Sequence, residues 1–331
     1  MTVLAAQDSA PPAARIRSGG RGRYALVLVI GLVLLGVLAA TSLFLGSAQL
    51  DRSILLISRI PRTLAVVLVG GAMAMAGLLM QLLVRNRFVE PATVGTTEAA
   101  AAGILGSIVL APNLPVAGKM LIACAAALLG TWLFLLVLRR VPPEAGAVTI
   151  PLVGIMLSGI IAAGTTFVAF RLDLLQTLST WMTGDFSGVL RGRFELLWLA
   201  AVVLVICWIA ADRFTVAALG ADHATNLGLN HRAVIRLGLV LVAVTTAVCV
   251  VVVGSLPFLG LVVPNVVSLL LGDHLRRSLP VVVLGGSVLV LACDILARVL
   301  NRPYELPVGI IVAIIGAAGF LHLLLRRGGL R

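Results

Sequence analysis

Apolar runs fill the chain from Tyr24 to Leu325, broken only by short polar gaps. Lipid offers no partner for backbone N–H and C=O groups, so a run of about 20 apolar residues crosses the hydrocarbon core as a helix that satisfies its own backbone. On that length the pattern predicts ten spans, at 24–46, 61–83, 94–111, 118–138, 148–169, 194–211, 233–253, 257–272, 280–300 and 306–325. The third and eighth are short for a bilayer. The expected fold is an all-α membrane protein with one transmembrane domain over 24–326, a disordered tail over 1–23 and a short tail over 327–331.

Composition agrees with the pattern. Hydrophobic residues make up 60% and charged residues 11% of the 331, where a soluble domain carries about a quarter charged. Mean hydropathy is +1.15. The net charge of +12 comes from basic residues spread through the gaps between spans, which favours topology and contact with anionic lipid over a nucleic-acid partner. With the N-terminus inside, sixteen basic residues fall on the cytoplasmic side and nine on the other, so both termini are expected in the cytoplasm. The run after residue 23 exceeds a signal-peptide core of about 7–15 residues and reads as an uncleaved first span. Cys124, Cys207, Cys249 and Cys293 all fall inside spans without paired spacing, and read as small packing residues.

The reactive groups an enzyme or pump needs are scarce. Lys119 is the only lysine and stands in no G-x-x-x-x-G-K-[ST] loop, so any ATP, with its magnesium, is expected on a partner subunit. His223, His231, His274 and His322 show no ligand spacing, and neither a metal site nor a resident cofactor is expected. Asp294 is the acidic residue that lies well inside a span, where ionisable groups are costly. It precedes Arg298 by four residues, so the two share a helix face and are expected to form a structural ion pair.

Four polar stretches carry the remaining information. Ser58-Arg59-Ile60-Pro61-Arg62-Thr63 opens the second span, with proline suited to a first helical turn and Arg59 and Arg62 near one face. Gln81 to Gly95 is an inner loop containing Arg85-Asn86-Arg87-Phe88-Val89-Glu90-Pro91. Leu219 to Gly228, framed by Leu-Gly at both ends, predicts a short helix with a turn on each side that lies across the inner face and serves either as a docking knob for a motor subunit or as a plain connector. The fourth runs from Gly254 to Asn265, where Pro257 and Pro264 remove two helix hydrogen bonds and predict a broken-helix region, either a simple kink or a segment packed near a pathway.

In this order the four stretches resemble the FecCD family, permease subunits of ABC importers for iron-siderophores, haem and vitamin B12. The matching patterns are R-x-P-R-T, R-N-x-x-x-E-P, L-G-x-x-x-A-x-x-L-G, P-F-x-G-L-x-V-P and Glu305-Leu306-Pro307-Val308-Gly309-Ile310, over about residues 55 to 326. The resemblance implies the type II ABC importer permease architecture, with two permease subunits, identical or related, and a pathway along their interface. It implies two ATP-binding cassette subunits docked at Leu219, Gly220, Ala224, Leu227 and Gly228. An extracytoplasmic solute-binding protein would dock on Arg59, Arg62 and Arg298, and a cytoplasmic gate would lie at Ala147, Val148 and Thr149. Reversing Arg59 and Arg62 to Glu is then expected to impair uptake while leaving insertion intact.

Two departures bear on cargo and local shape. Asn265 stands where many relatives of the family have His, and Val263-Pro264-Asn265 with Gly272-Asp273-His274-Leu275-Arg276-Arg277 is more similar to permeases for ferric catecholate-type siderophores. Gly316-Ala317-Ala318-Gly319-Phe320 replaces a more usual Gly-x-Pro-x-Phe. Permeases for haem or vitamin B12 are the alternative. An ion-coupled secondary transporter is disfavoured by the shortage of intramembrane carboxylates, and a membrane enzyme by the lack of any nucleophile–base constellation.

Overall fold

The computed structural model describes residues 19–45, 52–141, 149–192, 194–272, 275–301 and 304–327. Their regular structure is helical. Helix α1 (Gly19–Phe44) is followed by α2 (Arg52–Ile54), which runs through a π-helical turn (Leu55–Arg59) into α3 (Ile60–Val84). Then come α4 (Thr96–Leu110), α5 (Val116–Leu138), α6 (Thr149–Arg171), α7 (Leu175–Met182) and a 3-10 turn (Glu195–Leu197) leading into α8 (Trp198–Ile209). The chain closes with α9 (Ala211–Ala218), α10 (Ala221–Asn226), α11 (His231–Val253), α12 (Leu259–Leu271), α13 (Leu275–Leu300) and α14 (Val308–Arg327).

Each of the ten expected spans holds a helix. Seven are long and apolar enough to cross a membrane, and α8 with α9 would make an eighth across a 61° bend. The other two, α4 and α12, have 15 and 13 residues. At 1.5 Å per residue these reach about 20 Å, less than the roughly 30 Å of hydrocarbon. Helix α1 begins at Gly19, so residues 19–23 of the expected tail are helical, while 1–18 lie outside the described residues. One face of α1 packs through Val27, Leu35 and Leu38 against the core, while Leu26, Val29, Val33 and Val37 on another face are exposed, the surface expected of a helix side that meets lipid.

Helix α3 is the buried centre and runs antiparallel to α13. The first half of α3 packs with α11, α13 and α14 in one apolar cluster; its second half packs with α8, α9 and the 89–94 loop in another. Two glycine contacts let backbones meet. A Cβ on Gly70 would lie 2.6 Å from the Gly286 carbonyl oxygen of α13, and one on Gly77 would overlap the backbone of Gly260 in α12. Only glycine fits such crossings.

Proline explains which backbone carbonyls look outside their own helix for a donor: Pro61 and Pro264 sit within continuous helices, and Pro257 stands in the break between α11 and α12. Pro61, Pro257 and Pro264 have no N–H, so the carbonyls four residues earlier, those of Ile57, Val253 and Gly260, lose their helical donors. Each oxygen is taken from elsewhere in the fold: Ile57 by the N–H of Arg191 at 3.0 Å, Val253 by the N–H of Asp185 at 2.8 Å, and Gly260 by Gln81 Nε2 at 3.1 Å. The expected broken span is thus an interruption at residues 254–258 between α11 and α12, in which Gly254 (φ 88°) and Phe258 (φ 64°) are left-handed. Thr183 and Ser255 form a backbone bridge beside it, and the Gly309 N–H at the start of α14 donates to the Gly184 carbonyl at 2.7 Å.

Candidate functional site

At one end of α3 the three arginines of the expected docking site converge, and none lies at the free surface. Arg62 donates from Nε and Nη2 to Asp294 Oδ1, at 3.1 and 2.8 Å, and from Nη1 to Glu305 Oε2 at 2.6 Å. Arg298 donates to Asp294 Oδ2, to Ser42 Oγ at 2.7 Å and to the carbonyls of Ser42 and Leu45 at 3.0 and 3.3 Å. Arg59 Nη1 donates to the Leu43 carbonyl at 2.9 Å. All three are buried.

The expected Asp294–Arg298 pair forms, and the same carboxylate also holds Arg62 from 232 residues away. Arg59 and Arg298 each donate from Nη1 to carbonyls at the end of α1, oxygens that a helix leaves free and that attract cations. The expectation that Arg62 could be reversed without harm to insertion is therefore revised. A glutamate there would set three carboxylates together and leave the fully buried Asp294 with Arg298 as its one remaining arginine partner.

At the opposite end, the Leu219–Gly228 segment has the expected form. The six residues of α10 are bounded by Gly220 and Gly228 in the left-handed half of backbone space, at φ 123° and 76°. Ala224 is fully buried and anchors the helix, whereas Leu219 and Leu227 are 61% and 68% exposed. Two large apolar side chains thus project beside a helix too polar to enter lipid. The Arg85 guanidinium lies against Gly220, where a Cβ would come within 2.7 Å of its Nη2. Nearby, Arg276 pairs with Asp212 and sits 5.8 Å from the centre of the Trp208 ring, tying α13 to α8 and α9.

Between the two ends, the loop after α3 grips α12. Phe258 precedes that helix and has no side chain able to cap it; Glu90 does so instead, its Oε1 accepting the Phe258 N–H at 2.9 Å while the N–H groups of Gly260 and Leu261 also point to the carboxylate. Burial in this loop, outside the spanning helices, pushes the Glu90 carboxyl up to about 7, with Glu98 adding to the rise and the backbone N–H groups opposing it. Asn265 Nδ2 donates to the carbonyls of Arg87 and Leu261, at 2.8 and 2.7 Å, fastening the middle of α12 to the same loop. Phe320 meets Phe88 edge to face at 6.0 Å, and a Cβ on Gly316 would press on Phe258, so the Gly-Ala-Ala-Gly-Phe variant joins this cluster.

Several residues here escaped the sequence reading. Glu305, Gln81 and Glu90 stand in quoted motifs, but their partners lie 243, 179 and 168 residues away, and no local spacing signals that. Glu98, in the first turn of α4, is a second acid among the helices, and its buried Oε2 has no hydrogen-bond partner among the described residues. Of the expected gate, Ala147 and Val148 lie outside the described residues, and Thr149 begins α6 half-buried.

Comparison with known proteins matches this architecture. Residues 24–326 match the model of the FecCD transport family. The chain is 44% identical over 316 residues to the petrobactin import system permease protein YclN of Bacillus subtilis (strain 168), covering 92% of this chain and 98% of that one. It is 39% identical over 300 residues to the ferric-anguibactin transport system permease protein FatD of Vibrio anguillarum (strain ATCC 68554 / 775), covering 87% and 95%. Among solved structures, a chain from a metal-chelate type ABC transporter in an inward-facing conformation superposes with a TM-score of 0.78 at 24% identity, over 91% of this chain and 99% of that one. That likeness is one of fold.

Proposed function

Because the chain belongs to the FecCD transport family, we propose that it is the permease subunit of an importer that carries an iron-siderophore, with a ferric catecholate-type cargo. It is a membrane subunit and not an enzyme; an ABC importer permease works with ATPase subunits, a binding protein and a second permease. ATP and magnesium belong to the ATPase partner. Similarity to permeases named for petrobactin and ferric anguibactin supports the cargo.

The observation that carries the mechanism is α10, with Ala224 sunk in the fold and Leu219 and Leu227 held outside it. In a chain with no nucleotide loop, a projecting apolar pair on a helix framed by two constrained glycines suits a socket on a motor subunit. The excess of basic residues on one side supports an orientation with α10 and both termini in the cytoplasm and the Arg62 end outward. The binding protein then docks at the outer end through Arg59, Arg62 and Arg298. The pathway runs along the interface with an identical or related permease and closes inside around Ala147, Val148 and Thr149.

Uptake by a deletion strain carrying this chain, measured on radio-iron complexes of catecholate, hydroxamate and citrate chelators, with haem and cobalamin alongside, tests the cargo. Restored uptake of catecholate-type complexes is expected. Restoration by haem or cobalamin alone would overturn the siderophore reading.

A further inference from the structure

We infer that Glu305 is an internal stand-in for a carboxylate of the binding protein: it covers one edge of Arg62 until docking exchanges one acid for the other. This rests on the docking reading above. Arg62 has two carboxylate partners of different kinds. Asp294 is fully buried and takes Nε and Nη2, whereas Glu305 is 39% exposed at its side chain and takes Nη1 alone. The Arg62 side chain itself is only 10% exposed. An incoming protein meets Glu305 before it meets the guanidinium.

The two ion pairs differ in how readily they open. Separating a buried pair strands a charge in the interior, while a solvent-exposed pair contributes little net stability. Asp294 therefore stays on Arg62, and Glu305 is the partner that can be displaced. Arg59, Arg62 and Arg298 set three positive charges against Asp294 and Glu305, one net positive charge among the five. Glu305 swinging out alone would leave Nη1 unpaired. An acid delivered by the partner as Glu305 departs keeps the donor satisfied throughout, so this edge admits an acidic ligand and rejects an apolar or basic one.

Placement gives the exchange a consequence. Glu305 lies in the lead-in to α14, which is tied back at Leu306, whose N–H donates to the Ala297 carbonyl at 3.3 Å, and at Gly309 on Gly184. Freeing the Glu305 side chain loosens the residue that enters this junction of α7, α11 and α14. Docking and the outer end of the helix bundle are thereby linked through one side chain.

The test uses the assembled permease–ATPase complex in lipid nanodiscs and the fluorescently labelled solute-binding protein of the same import system. Glu305→Gln removes the internal competitor and is expected to tighten binding about three- to fivefold. Asp173→Asn removes an exposed acid that forms no ion pair with Arg62 and is expected to change affinity by less than about twofold. Unchanged or weaker binding in Glu305→Gln, or equal tightening in both variants, overturns the exchange. Arg62→Gln separates this failure from that of the docking reading: weaker binding there with no gain from Glu305→Gln leaves docking standing, whereas unchanged binding removes both. Should Arg62→Gln fail to assemble, the comparison of Glu305→Gln with Asp173→Asn decides alone.

Discussion

Gln81 Nε2 donates to the carbonyl of Gly260, the oxygen that Pro264 leaves without a helical partner. An amide from α3 thus replaces a backbone N–H of α12, in a buried place where an unmet carbonyl costs about 1–3 kcal/mol. Gln81→Leu is expected to lower stability by that amount, read as a fall in midpoint on thermal unfolding in detergent. Pro264→Ala restores the N–H, so the double variant is expected to be less destabilised than the sum of the two singles.

The same crossing predicts a contrast between glycines. A Cβ on Gly77 has nowhere to go but into the Gly260 backbone, while Gly106 and Gly159 have open space around them. Gly77→Ala is expected to cost about 3 kcal/mol or more, since backbone must shift, and to reduce the amount of intact protein recovered from membranes. Gly106→Ala and Gly159→Ala should equal or exceed the parent in stability, by up to about 1 kcal/mol each, because alanine is the better helix former.

Leu219 and Leu227 predict a separation of assembly from insertion. Replacing both with Asp touches no buried contact, so the chain is expected to reach the membrane at its usual level. Copurification of the ATPase subunit should fall at least about tenfold, the loss of roughly 1.4 kcal/mol expected when two large apolar side chains leave an interface. Retained copurification would remove α10 from the coupling role.

Glu90 predicts a pH dependence of known sign. Its carboxyl is held at about 7 in the fold against an ordinary 4.5, so between those values the folded chain keeps a proton that the unfolded chain has lost. Stability from this group is then greatest at low pH, declines as pH rises from about 4.5 to about 7, and is level above. Glu90→Gln keeps an oxygen for the Phe258 N–H and cannot titrate. The difference in unfolding midpoint between the parent and this variant should therefore change between pH 5 and pH 8, in favour of the parent at pH 5. A constant difference would show that Glu90 does not titrate in that window.

The helices and their breaks were legible because their causes are local. Apolar length marks a span, proline marks a lost donor, and paired Leu-Gly frames a short helix, so α10 and the interruption before α12 were readable from spacing alone. Asp294 and Arg298 were readable for the same reason, being one helical turn apart. The grip of Asp294 on Arg62, the cap that Glu90 places on α12 and the cover that Glu305 gives Arg62 are tertiary, and a one-dimensional pattern does not say which distant groups meet. The arginines illustrate the difference: their number and spacing were visible in the chain, but their burial depends on α1 ending beside them, with the carbonyls of Ser42, Leu43 and Leu45 in reach.

The interrupted span has a consequence for biosynthesis. The groups that complete it, Gln81, Glu90 and Asp185, all precede residues 254–271 in the chain. As the ribosome extrudes that segment, a receptacle for its unpaired backbone has already been made, and the interrupted piece can seat on arrival instead of waiting unsolvated in lipid. A circular permutation that emitted 254–271 first would reverse this order and should turn an ordinary insertion into a substrate for membrane quality control.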